Sequence, residues 1–133
     1  MRRVKRLFAL RGAARCVNSE DDIVEQVSAM YDDILFQNSI TETDIVSLQF
    51  SVTADIDAAN PAAALRKSGR AANLALFAVQ EAASRDSLPR TIRCLLHCYM
   101  DAAAAPRHVY RNGAEILRPE RGPDRAPFGP GGA

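Results

Sequence analysis

The 133 residues contain no tryptophan, two histidines and three cysteines, and their formal net charge is only +1. Each scarcity excludes something. A charge balance this even lacks the basic excess of a nucleic-acid or acidic-membrane surface, so neither partner is expected. No segment approaches the ~20 apolar residues that span a bilayer. Leu7 to Leu10 is too short for a signal peptide and Arg11 interrupts it, which leaves the cytoplasm as the expected compartment. Cys16, Cys94 and Cys98 cannot all pair and fit no zinc spacing. On a strand, Cys94 and Cys98 would stand ~13 Å apart, beyond disulfide reach, so the three read as buried thiols. His97 has no carboxylate or second histidine at a supporting distance in the chain, and no metal is expected.

What is present fits a single domain: 47% hydrophobic and 25% charged residues, ordinary for a globular chain. A basic extension covers residues 1–5, the domain itself 6–120, and a Pro/Gly-rich tail 121–133. That tail holds too little apolar surface to offset its ordering entropy and is expected to be disordered. Leu7, Ala9 and Arg11 alternate with Phe8 and Leu10 as a strand closed by Gly12. Asn18 or Ser19 can cap a long helix, with Ile23, Val27, Met30, Tyr31 and Ile34 at helical spacing, ending near Asn38. Val46, Leu48, Phe50 and Val52 alternate with polar residues in a second strand. Asn60 and Pro61 open a second helix that stops at Gly69.

Leu74 to Gln80 gives a third strand with Glu81 at its mouth. Residues 91–99 give a fourth, with Arg93, Leu95, His97 and Tyr99 on one face and Ile92, Cys94, Leu96 and Cys98 on the other. Asn112-Gly113 signals a hairpin between His108–Tyr110 and Ala114–Leu117. The order strand, helix, strand, helix, then strands predicts an α+β domain: a mixed sheet with helices packed on one face. Two helices cover one side only, so assembly through the other face is the economical solution.

Fifteen of the seventeen basic residues are arginine, most of them ordinary surface cations. Arg11, Arg66, Arg93 and Arg118 stand out by their settings, together with Glu81 and Tyr110. An arginine fork grips a carboxylate through two parallel hydrogen bonds, which points to a small, doubly anionic ligand. Taken alone, Arg93 and Glu81 could equally form a structural ion pair.

The segments Leu10-Arg11-Gly12-Ala13, Ser51 to Ala62, Gln80-Glu81, Ser87-Leu88-Pro89-Arg90-Thr91-Ile92-Arg93, Arg107-His108-Val109-Tyr110 and Leu117-Arg118-Pro119 resemble the monofunctional, AroH-class chorismate mutases in order and spacing. The resemblance implies a trimeric pseudo-α/β barrel, related in architecture to ferredoxin-like trimers, with active sites between subunits. It implies the rearrangement of chorismate to prephenate on the way to phenylalanine and tyrosine, with no cofactor, nucleophile or metal. By family position Arg93 stabilises charge on the breaking ether oxygen, Glu81 accepts from the ring hydroxyl, and Arg11 and Tyr110 hold the side-chain carboxylate. Arg66 and Arg118 line the entrance, and Asn60, Ala78 and Leu117 fall at substrate-binding positions. Asn60, Ala63, Ala78 and Ala54 depart from residues usual in relatives, so weaker chorismate binding is expected. The competing readings are a Rid-type imine deaminase and a non-catalytic trimer that binds small anions.

Overall fold

Alternating side chains extend the first strand, β1, over Lys5–Arg15 in the computed structural model, which describes residues 4–117. Arg118 and the segment 121–133 lie outside the described residues. β1 does not stop at Gly12 as expected. A Cβ there would sit 2.8 Å from Cys94 Sγ, 2.9 Å from Ile34 Cδ1 and 3.0 Å from Met30 Sδ. Gly12 therefore lets the first helix approach the sheet closely; it does not end the strand.

That helix, α1 (Glu20–Asn38), starts where the Ser19 hydroxyl accepts from the Asp22 backbone N–H at 3.2 Å. Glu20, Asp21 and Asp22 complement the positive end of its dipole. Ile23, Val27, Met30, Tyr31 and Ile34 are buried, and the helix ends at Ser39 in the left-handed region, φ 53°. β2 (Ile45–Val52) buries Leu48 and Phe50. Val46, expected on the same face, is exposed, because the register with the neighbouring strand shifts between Ile45 and Ser47. α2 (Pro61–Lys67) opens on Asn60, whose side-chain oxygen accepts from Ala62 N at 2.8 Å and Ala63 N at 3.3 Å.

β3 (Ala75–Gln80), β4 (Thr91–Asp101) and β5 (Val109–Arg111) complete the sheet. Its order is β3-β2-β4-β1-β5, with β4 antiparallel to both neighbours and the β2·β3 and β1·β5 pairs parallel. The expected hairpin after β5 does not form. Asn112 and Gly113 do turn the chain at positive φ, 53° and 97°. However, Asn112 Nδ2 is drawn to the Arg15 carbonyl at 2.7 Å, and the chain continues into a 3-10 turn, Ala114–Leu117. β5 thus takes the free edge of β1 as its partner.

Both helices pack on one face of this mixed sheet, as the α+β reading required. Phe8, Leu10, Ala14, Leu48, Phe50, Ile92, Leu96 and Cys98 meet Ile23, Val27, Met30, Ile34 and Leu65 in one buried core. No α-helix among the described residues covers the opposite face, and Leu7, Phe77, Val79 and Tyr99 on it are 45–62% exposed. The three cysteines are free and buried, as expected. No helix among the described residues is long and apolar enough to cross a membrane.

Candidate active site

Strand register brings the candidate residues to the helix-free face. Val79, Ser51, Arg93, Ala13 and Tyr110 stand opposite one another across β3, β2, β4, β1 and β5, forming a single rung over the whole sheet. Arg11 follows on the next outward rung of β1, opposite Leu95. It lies well inside the strand, not near its end as the shorter β1 implied. Between these side chains opens a cleft of about 410 Å³ lined by Arg11, Gly12, Ala13, Arg93, Cys94, Tyr110 and Leu117. The small side chain at position 13 leaves the space between the Arg93 and Tyr110 rung positions open.

Glu81 follows directly after β3, and its backbone N–H donates to the Val52 carbonyl at 2.8 Å. Its Oε1 lies 3.1 Å from Arg93 Nε, the two side chains being 18% and 41% exposed. The approach is short enough for Coulombic attraction but not aligned for a hydrogen bond, because Arg93 Nε is buried without a hydrogen-bond partner. Ser51 Oγ donates to the same Glu81 oxygen at 3.3 Å. Beyond Glu81 a second cleft, about 250 Å³, is lined by residues that include Thr53, Asp55, Ser87, Leu88 and Pro89.

A polar clamp fixes the start of β4 two residues before Arg93. The Asp55 carboxylate accepts from the Arg90 backbone N–H at 3.0 and 3.1 Å and from the Thr53 hydroxyl at 2.5 Å. Thr53 Oγ1 in turn accepts from Thr91 N at 3.0 Å. The Thr53 hydroxyl and the Arg90 amide hold the Asp55 carboxyl below the usual carboxylate range. Arg90 itself sits at φ 49°, a conformation the clamp sustains. On the other side of the cleft, the Arg11 backbone N–H donates to His108 Nδ1 at 2.9 Å, so that nitrogen is the acceptor and Nε2 carries the proton when the ring is neutral. The Arg11 guanidinium is exposed and has no carboxylate partner among the described residues. Cys94 contributes to the cleft floor, but its side chain turns into the helical core, where burial pushes the thiol up to about 12, so it stays protonated and is no nucleophile.

The sequence-based candidates divide into two sets. Arg11, Arg93, Tyr110 and Leu117 share the cleft and Glu81 adjoins it. Asn60, Arg66 and Ala78 do not line it. The Asn60 oxygen is engaged at the start of α2, Arg66 Nη2 donates to the Leu74 carbonyl at 3.1 Å, and Ala78, opposite Phe50, packs toward the helical core. Ser51 was legible as part of the polar face of β2, but its link to Glu81 depends on a pairing that no local pattern reveals. The Thr53–Asp55–Arg90 clamp was invisible for the same reason.

Two arginines, a tyrosine and a carboxylate around a polar cleft define an α+β protein suited to binding a small dianion and acting on it through fixed charges. The sequence profile of the family described as chorismate mutase type I matches residues 7–121. The chorismate mutase AroH of Bacillus subtilis (strain 168) is 26% identical over 113 residues, covering 84% of this chain and 89% of the relative. A solved chorismate mutase structure from Clostridium thermocellum superposes with a TM-score of 0.77 at 37% identity, over 83% of this chain and 99% of its own. The chain belongs to the type I chorismate mutase family.

Proposed function

We propose that this chorismate mutase, an isomerase of aromatic amino acid biosynthesis, holds chorismate in the Arg11–Arg93–Tyr110 cleft and lowers the barrier to prephenate by fixed charge and enforced conformation. The reaction is an intramolecular Claisen rearrangement: the ether C–O bond breaks as a C–C bond forms, with no proton transfer and no group on the protein attacking. The enzyme's task is to select the folded conformer and to favour the charge distribution of the transition state.

Arg93 meets the ether oxygen as negative charge grows there. The observation that carries this reading is that Arg93 borders the cleft while its Nε, close to Glu81, makes no hydrogen bond among the described residues. Glu81 accepts from the ring hydroxyl and complements the opposite charge developing on the ring. Arg11 and Tyr110 grip the side-chain carboxylate, Leu117 forms part of the wall, and Arg118 assists capture at the entrance. Asn60 and Arg66 act on a substrate held by a neighbouring subunit, which is why they stand apart from the cleft within one chain, and Ala78, whose side chain faces the core, meets substrate only through its backbone. The assembly is a homotrimer joined through the helix-free face, working in the cytoplasm. Residues 6–120 form the catalytic domain, and the segments 1–5 and 121–133 flank it.

Adding purified protein to chorismate should bleach its absorbance far faster than buffer does; a folded protein that leaves the rate unchanged would sink the reading. The shared site is tested by mixing Arg93→Ala with Arg66→Ala. Co-refolded hetero-oligomers regain activity only if the two arginines of one site come from different chains.

A further inference from the structure

We infer that Ser51 is a positioning residue for the reaction: its hydroxyl fixes the Glu81 carboxylate so that one oxygen is held within the protein and the other is presented to the substrate. This rests on the role given to Glu81 above and extends it to a residue outside the set of charged groups. Ser51 stands directly opposite Arg93 in the β2·β4 pairing and opposite Val79 in the β2·β3 pairing. Its side chain therefore emerges on the same face as Arg93, one strand closer to Glu81. The Glu81 backbone is already moored to β2 through Val52, the residue after Ser51. What remains is the orientation of a carboxylate at the end of three rotatable bonds.

Two contacts set it, and both go to Oε1: Ser51 Oγ at 3.3 Å and Arg93 Nε at 3.1 Å. The Arg93 contact is not aligned as a hydrogen bond, so it attracts the carboxylate without fixing its rotation. The Ser51 contact, at 3.3 Å long for an O–H···O hydrogen bond but aligned as one, supplies the directional term. It also limits how far Arg93 and Glu81 can collapse into a self-satisfied pair that would withdraw the guanidinium from the substrate. With Oε1 taken, Oε2 is the oxygen that faces the ring hydroxyl. Positioning of this kind is needed because misplacement by about 1 Å costs on the order of a hundredfold in rate.

The test is a double-mutant cycle read by steady-state kinetics on the full chain, with circular dichroism and molecular mass verifying each variant. Ser51→Ala should lower kcat about tenfold, the rate equivalent of one hydrogen bond to a charged group, with KM within about twofold of wild type. Ser51→Thr, which keeps the hydroxyl, should restore most of the rate. In a Glu81→Ala background, Ser51→Ala should cost nothing further, because the group it orients is gone. If Ser51→Ala is silent in the parent, or costs the same in both backgrounds, the inference is wrong while the role of Glu81 stands. If Glu81→Ala leaves kcat intact, the Glu81 assignment itself falls and takes this inference with it. Should Ser51→Ala fail to fold, Ser51→Cys keeps the volume with a weak donor and must fall between alanine and threonine in kcat.

Discussion

Replacing Arg93 with alanine removes the charge at the centre of the cleft and leaves Glu81 with the Ser51 hydroxyl alone. Unit charges ~3 Å apart at an effective dielectric of ~20 interact by about 5 kcal/mol. The ether oxygen gains roughly half a charge in the transition state, which reduces the differential term to about 2–3 kcal/mol on the same scale. A lost oxyanion donor typically costs ~2.7–4 kcal/mol, so the two routes agree. They correspond to a fall in kcat of roughly 10²- to 10³-fold. The Arg93 side chain is 41% exposed in the isolated chain, and burial by a neighbouring subunit would move the loss toward the upper figure. The assay is the initial rate of chorismate absorbance loss at saturating substrate, with a thermal melt to show that the variant folds. Arg93→Lys keeps the charge but not the fork, and should recover only part of the loss. A folded Arg93→Ala enzyme within about fivefold of the parent kcat, less than the ~1.4 kcal/mol of one decade, would refute the charge-stabilisation account.

Arg11→Ala removes an exposed carboxylate grip and should act mainly on KM, lowering kcat/KM about 10- to 100-fold, as expected for a hydrogen bond to a charged group; a purely kcat effect would argue against the assignment. Gly12→Ala drives a methyl to 2.8 Å from Cys94 Sγ and 2.9 Å from Ile34 Cδ1, and overpacking of this kind costs about 1–3 kcal/mol, so an unchanged melting temperature would contradict the packing described. Burial raises the Cys16, Cys94 and Cys98 thiols from 9.0 to about 11, 12 and 11. The fold thus favours the protonated thiols, and their contribution to stability is complete below pH 9 and is lost as pH rises from there through about 11 to 12. Denaturant midpoints should fall over that range, and the fall should shrink in Cys94→Ala.

Local patterns revealed those features that depend on near neighbours along the chain. The Ser19 cap and acidic first turn of α1, the Asn60-Pro61 start of α2, and the two-faced strand from Thr91 onward each follow from a few adjacent side chains. The misreadings share a cause in distant contacts. Gly12 looks like a strand end until α1 is laid against it, and Asn112-Gly113 looks like a hairpin until the edge of β1 competes for β5. Val46 keeps its alternation in the sequence and loses its burial to a register shift with β4. The charged site residues were recognisable through the order and spacing of the motifs that hold them, since alone Arg93 and Glu81 read as an ordinary ion pair. Ser51 and the Asp55 clamp carry no such mark, since serine and aspartate are equally at home in any turn.

The rung Val79–Ser51–Arg93–Ala13–Tyr110 makes catalysis a reporter of assembly. Its five residues come from five strands, and four separate strand pairings must adopt the right alignment before Arg93, Tyr110 and the Ser51–Glu81 pair share a face. Slipping any one strand by a single residue turns its contribution into the helical core. The sheet has no partly aligned state in which the cleft is complete. Activity regained during refolding would therefore lag behind secondary structure and appear with the last strand to dock, which makes substrate turnover a clock for the final pairing event.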